Sequence, residues 1–455
     1  MGEDEGDRGR RWVVSHAGPE LLRELAAATG LVDAWDKVLI GTYRALPFHF
    51  PGQVLVDLAA SIAEGATSIS DMKVLRDEAQ LFGAVASTPT AWRVLDRVSD
   101  AHLPGLRIGR AKAREAAWAA GAAPDLSQEQ VLDIDATIVV SHSEDKQGAA
   151  PTWKHTFGFH PLYCSLDRPE VSSGEALSGL LRPGNAGSNT ADDHKEVLRL
   201  ALQSLPAYAR PTSFEAGPQY LVRTDSAGAT HDFAKECRAE HVRSSFGFPV
   251  DERVRVALSV VPEEAWYPAI EDDGEAREKA FVAELTNLAG LSAWPEGSRV
   301  VVRRERPHPG AQLTLFEAQD GWRYTAFITG TRPGKLSVER LELRHRKHAR
   351  VEDRARQSKA TGLNNFPCEA MAGNKAWTEV AMAAAGLVCW SKLICLADEP
   401  VIARCEIEAF RYAILHMAGK LTRSARQVRL HLDRTWAWAK ALEKASCRLR
   451  AAFAT

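Results

Sequence analysis

The chain has almost no net charge. Its 455 residues hold 57 Lys and Arg against 59 Asp and Glu, a formal charge of -2 with a sequence pI near 6.7. Bulk charge therefore lends nothing to nucleic-acid binding, and any polyanion would have to be held by locally gathered cations. Cysteine is sparse and scattered: none of the seven forms a CxxC pair, and the nearest two are Cys389 and Cys395. That spacing argues against a cysteine zinc site or a disulfide framework and reads as reduced thiols of a cytosolic protein. The longest apolar run, Ala381 to Trp390, is far short of the roughly 20 residues a membrane helix requires. The opening Met-Gly-Glu-Asp-Glu is acidic and lacks the apolar core of a signal peptide. A cytoplasmic location with no membrane partner is expected.

What is present is ordinary globular composition, 45% hydrophobic and 25% charged, in a chain long enough for about three domains. Residues 1–127 read as a helical domain. Pro19 opens a helix with a Leu21, Leu22, Leu25 stripe ending near Gly30, and Val54, Leu55, Leu58 and Ile62 form a second stripe before Gly65. Ser68 and Asp71 make a capping-box pattern, and a helix is expected after Pro89. The cations Arg107, Arg110, Lys112 and Arg114 follow, suited either to gripping DNA or to plain packing. From Gln130 the period becomes that of strands, at 131–140, 153–166 and 176–181. A helix from Asp192 comes next, then a short buried strand, Tyr220-Leu-Val-Arg-Thr-Asp. Three strands, a helix and a fourth strand is the order of an RNase H-like sheet.

Residues 250–332 interrupt that order as a β-rich insertion. A hairpin is expected there, with Leu313 to Phe316 and Tyr324 to Ile328 flanking the turn pair Asp320-Gly321. The core then resumes over 333–400, after its first part at 128–249, and a helical, basic region occupies 401–455. That last region carries 11 Lys or Arg against 4 Asp or Glu, and Pro333 to Ala360 carries 9 against 4. These cations either gather with the active site as one DNA-facing surface or form solvated faces. Acidic clusters at Glu3, Asp4, Glu5 and at Glu271, Asp272, Asp273, Glu275 offset them.

Three acids are the candidates for chemistry. Asp133 and Asp135, two apart on a strand, share one face, and a carboxylate inside such a strand is costly unless paired or metal-bound. Asp225 closes an apolar strand before Ser226-Ala-Gly, at the carboxyl edge of the sheet where α/β sites gather. Taken singly, each is equally a structural acid. His142, His155 and His160 lack HxxxH spacing, which favours polar or DNA-facing roles over a transition-metal site.

Several blocks then occur in a telling order: Leu132-Asp-Ile-Asp-Ala-Thr, Lys146-Gln-Gly-Ala, Gly158-Phe-His-Pro-Leu, Leu181-Arg-Pro-Gly-Asn, Val222-Arg-Thr-Asp-Ser-Ala and His348-Ala-Arg-Val-Glu-Asp-Arg. Over residues 54–438 the chain resembles the DDE transposases of bacterial insertion sequences, in the cut-and-paste branch of family 1380 that carries a β-rich insertion. The resemblance implies an α/β fold with an RNase H-like catalytic core and a metal-binding triad of Asp135, Asp225 and Glu352. It implies two Mg²⁺ ions, with Mn²⁺ able to substitute, placed about 3.5 to 4 Å apart to activate a nucleophile and stabilise a leaving oxygen. It also implies double-stranded DNA partners, the terminal inverted repeats and the target, and a homodimer in the DNA complex, at the nucleoid of a bacterial cell.

In that branch the third acid sits in a signature of Tyr, two residues, Arg, three residues, Glu, six residues, Lys. Here Glu352 and Lys359 keep the last spacing, while His345 and His348 stand in the Tyr and Arg places. Arg350, Arg354 and Lys359 would then position phosphates, with a solvated basic helix as the alternative. Trp266 in the insertion would stack on an extruded base, or else belong to the core. Two rival functions are a nuclease of this fold without strand transfer and a catalytically silent DNA-binding descendant.

Overall fold

The computed structural model describes residues 11–187, 190–424 and 427–454. Its centre is a mixed sheet of nine strands. In chain order these are β1 (Gln130–Ala136), β2 (Leu162–Leu166), β3 (Glu175–Leu180), β4 (Tyr220–Thr224), β5 (Val242–Phe248), β6 (Tyr267–Ile270), β7 (Ala276–Glu284), β8 (Arg299–Glu305) and β9 (Arg323–Thr329). Across the sheet they run β6-β7-β8-β9-β5-β4-β1-β2-β3. The pairs β1·β4 and β4·β5 are parallel; every other neighbouring pair is antiparallel. The strands expected before Asp135 and Asp225 are thus adjacent and run the same way. The strands of residues 267–329 do not form a sheet of their own, because β9 pairs with β5 and the last four strands prolong the central one.

Alternation along β1 divides its residues between two layers. Leu132 and Ile134 point to the side where the Ala191–Ser204 helix packs, and Ser178 on β3 bonds the carbonyl of Val197 in that helix (2.8 Å). Asp133 and Asp135 point to the other side, covered by the Arg350–Ser358 and Met371–Trp390 helices. The Met371–Cys395 segment is long and apolar enough to cross a membrane, yet 89% of its apolar window is buried against protein. It is the core rod of the molecule, wedged between β3 and the Pro51–Glu64 helix, and one hydrophobic cluster runs through it from the N-terminal helices to the sheet.

The N-terminal helices form where the apolar stripes place them: Pro19–Ala28, Pro51–Glu64, Thr88–Asp96 and Leu103–Ala117. The Ser68–Asp71 capping box is present, though it starts a short 3-10 turn, and the following helix breaks at Glu78. Two expectations fail. Residues 313–316 are not a hairpin strand: Thr314 and Glu317 cap each other and open the helix Leu315–Asp320, which Gly321 ends at φ 74°. The region 401–455 is not wholly helical either. Gly419–Ser424 and Gln427–Leu432 form a hairpin whose first strand pairs with Arg11–Val14, closing a three-stranded sheet from the two ends of the chain.

Candidate active site

The site begins with a register. Asp133 on β1 pairs with Arg223 on the parallel strand β4, and two residues further along the same face stand Asp135 and Asp225, at the carboxyl ends of both strands. Neighbouring strands lie about 4.8 Å apart, so the two carboxylates repel each other at short range. Burial first, then Asp225, push the Asp135 carboxyl up to about 6. Asp225 is exposed and begins a short 3-10 turn, its Oδ1 accepting from the Ala227 N–H at 2.9 Å. Among the described residues no Lys or Arg forms an ion pair with either acid.

The floor beneath them is ionic. Asp133, 1% exposed, accepts from Arg223 Nε and Nη2, both at 2.8 Å, from Arg354 Nη1, and from His348 Nδ1 at 3.0 Å. Asp167 accepts from the same two guanidiniums. Burying two arginines with Asp133 is tolerable because both guanidiniums are paired with carboxylates, Asp133 and the partly buried Asp167. These contacts to His348, Arg223 and Arg354 hold the Asp133 carboxyl far below the usual carboxylate range, against its burial.

This quartet fastens the Arg350–Ser358 helix to the sheet and so decides what else reaches the aspartates. His348, four residues before Glu352, lies close enough to Asp135 to favour its charged form, and Lys359, seven residues after Glu352, is close enough to feel the Asp135 charge. Glu352 lies in the first turn of the Arg350–Ser358 helix, between these two in sequence, and its side chain is exposed. A small cavity of about 50 Å³ lies behind, lined among others by Asp133, Asp135, Tyr163, Arg354 and Ser358.

The other expected site residues take varied places. Arg350 is exposed on the same helix. Arg354 is 5% exposed and fully engaged by Asp133 and Asp167, so it orders the site's floor and is not presented to a phosphate. His345 stacks on Phe327 (centroids 4.4 Å, 9°), meets Ser245 Oγ at 2.9 Å, and its imidazole is held well below its usual range by burial. It is a packing residue. Trp266 is half-buried beneath the Arg304 guanidinium (4.1 Å to the ring centre), which Glu263 also holds, so its face is already covered. His160 is buried with Nδ1 3.3 Å from the Ala186 carbonyl, while His142 and His155 are exposed.

The expected basic surfaces shrink. Arg110 and Arg114 are buried on Glu379 and Glu175, and Arg107 also binds Glu379, so of that group Lys112 alone is exposed. Within Pro333 to Ala360, Lys335, Arg344, Arg346, Lys347, Arg354 and Arg356 all meet carboxylates from other segments, including Glu271 and Asp272 of the acidic cluster. Arg423 and Arg429 stand exposed on the C-terminal hairpin; Arg426, and the acids at positions 3–5, lie outside the described residues. Sequence reasoning missed Arg223 and Asp167. An arginine inside the otherwise apolar Tyr220-Leu-Val-Arg-Thr strand was the available signal, since a buried guanidinium demands a carboxylate nearby.

Residues 7–453 match the family model described as Transposase DDE domain group 1. No curated protein matches by sequence. Among solved structures, the piggyBac transposase synaptic complex with hairpin DNA aligns over 90% of this chain and 82% of its own, at 10% identity and a TM-score of 0.41.

Proposed function

Since the chain belongs to the group 1 family of transposase DDE domains, which its match covers almost end to end, we propose that it is a DNA-cleaving and strand-transferring enzyme whose metal-binding triad is Asp135, Asp225 and Glu352. The observation that carries this reading is the pair Asp135 and Asp225: two carboxylates at the ends of adjacent parallel strands, mutually repelling, and among the described residues in no ion pair with a Lys or Arg. Such a pair fits hard divalent cations, Mg²⁺ above all, because its donors are all carboxylate oxygens. When bound, two such ions supply Lewis-acid activation of a nucleophile and stabilisation of the leaving oxygen.

The rest of the work falls to this chain's own residues. Asp135 and Asp225 hold one side of the site and Glu352 closes the other, so the position of the Arg350–Ser358 helix sets how well the third acid reaches. Arg354 and Arg223, bridged by Asp133 and Asp167, fix that helix and act as positioning residues. His348 donates to Asp133 and lies near enough to Asp135 to favour its charged form. Lys359, near Asp135, and Arg350, exposed on the same helix, are two cations that would meet phosphates near the scissile bond.

The order β3-β2-β1-β4-β5, with β2 antiparallel between β3 and β1 and with β1, β4 and β5 parallel, supports an RNase H-like core, prolonged by the inserted strands. The same reading divides the chain after residues 127, 249, 332 and 400. Its substrates would be the inverted repeats at the ends of its own element and a target duplex, joined through a dimer.

The test uses purified full-length protein, Mg²⁺, and duplexes carrying the inverted repeats that flank the coding sequence. Cleaved ends joined to a target plasmid are expected, with Asp225→Asn still binding but neither cutting nor joining. Cleavage without joined product would leave a nuclease of this fold, and no metal-dependent cleavage by the parent would leave a DNA-binding descendant.

A further inference from the structure

Away from the sheet, three segments distant in sequence bring a second donor set together. We infer that His16, Glu64 and His416 form a site for a divalent transition-metal ion of the zinc class, distinct from the carboxylates at Asp135 and Asp225. His16 follows the Arg11–Val14 strand, Glu64 ends the Pro51–Glu64 helix, and His416 precedes the Gly419–Ser424 strand. One donor atom from each lies within 4.8 Å of the other two. His16 Nε2 and Glu64 Oε1 stand 3.6 Å apart. Bonds of about 2.0 to 2.1 Å in tetrahedral array put zinc donors roughly 3.3 Å from one another, so small side-chain movements close the site.

A buried oxygen of this set has no partner. Glu64 is 8% exposed and its Oε1 has no hydrogen-bond partner among the described residues. An unpartnered carboxylate oxygen in that setting is costly. The adjacent guanidinium does not satisfy it: Arg411 gives its N–H groups to the carbonyls of Ala63, Ile62 and Ala360.

The surroundings are those of metal-bound histidines, whose second nitrogen is held by an acceptor. His16 Nδ1 meets Ser15 Oγ at 2.8 Å, and that hydroxyl donates to Glu78 Oε1 at 2.6 Å, a chain from ring to carboxylate. His416 Nε2 donates to the Glu64 carbonyl at 3.0 Å, leaving Nδ1 with a lone pair. Two nitrogens and one carboxylate favour a borderline ion over Mg²⁺. His416 is exposed, which gives an ion its entry and leaves a fourth position for water. Bound there, the ion would fasten the sheet made from both chain ends to the helical core, where the N–H groups of Ala17 and Gly18 already meet the carbonyls of Met417 and Leu415.

The experiment uses the full-length Asp135→Asn/Asp225→Asn variant, so that the catalytic carboxylates do not compete, and titrates the metal-free protein with Zn²⁺ by calorimetry. One equivalent bound, unaffected by millimolar Mg²⁺ and accompanied by a rise in thermal midpoint, is expected. Adding His416→Ala, a change at an exposed side chain that should leave the fold intact by circular dichroism, should weaken binding at least tenfold, as should Glu64→Gln. Absence of Zn²⁺ binding in the folded parent, or equal binding after both substitutions, would overturn the inference.

Discussion

Arg223 and Asp133, 90 positions apart, meet across neighbouring parallel strands through two contacts of 2.8 Å, both residues 1% exposed. The pair lies directly below the carboxylates at the strand ends. With Arg354 and Asp167 it ties the sheet to the Arg350–Ser358 helix, and on the proposed reading these ion pairs would set the position of Glu352.

These ion pairs separate two arginines on one helix. Arg354→Met leaves buried Asp133 and partly buried Asp167 sharing a single guanidinium, and should lower unfolding free energy by about 3–5 kcal/mol in urea denaturation. Arg356→Met removes an exposed bridge to Glu406 and Asp353 and should cost less than about 1 kcal/mol. Similar losses from both would mean that the quartet does not brace the helix.

The neighbouring carboxylates of Asp135 and Asp225 should cost stability when no metal is bound. Asp135 titrates at about 6 in the fold against an ordinary 3.8, raised by burial and Asp225. Its contribution is therefore intact below pH 4 and lost as pH rises through 6. Asp225→Asn should raise the metal-free unfolding free energy at pH 7, and with it the thermal midpoint, by on the order of 1–2 kcal/mol, and should make no difference at pH 3.5. Parent and variant melting alike at pH 7 would refute the repulsion.

Salt dependence should distinguish free cations from spent ones. Replacing Lys359 or Arg350 with Ala should each reduce the log-log slope of DNA binding against salt by about 0.9, whereas Arg356→Ala should leave it unchanged. Arg423→Ala with Arg429→Ala, on the exposed hairpin, tests whether the C-terminal face adds to the same track. If Arg356 rather than Lys359 moves the slope, the DNA path lies elsewhere.

How much of this could be read from the chain follows from the range of each interaction. Helices with a stripe such as Leu21, Leu22, Leu25, and strands such as Tyr220 to Thr224, are local and were legible. So was the placing of Asp135 and Asp225 at strand ends, although their register as neighbours needed the sheet. The hairpin reading of residues 313–328 failed because Asp320-Gly321 serves a helix end as readily as a turn. The capping box of Thr314 and Glu317 tipped the balance. Local counts of positive charge misled most. Arg110, Arg114, Arg346 and Lys347 are answered by acids that approach only in three dimensions, and sequence proximity carries no trace of them.

The central claim, that Asp135, Asp225 and Glu352 share one metal centre, is tested most directly by iron-directed cleavage of the polypeptide. Protein loaded with Fe²⁺ in place of Mg²⁺ and treated with ascorbate and peroxide is cut where the backbone approaches the ion, and the fragments are read by mass spectrometry. Cuts around positions 135, 225 and 352, all suppressed by excess Mg²⁺, are the predicted result. Mg²⁺-sensitive cuts at 135 and 225 with none near 352, in protein bound to its end DNA, would contradict it.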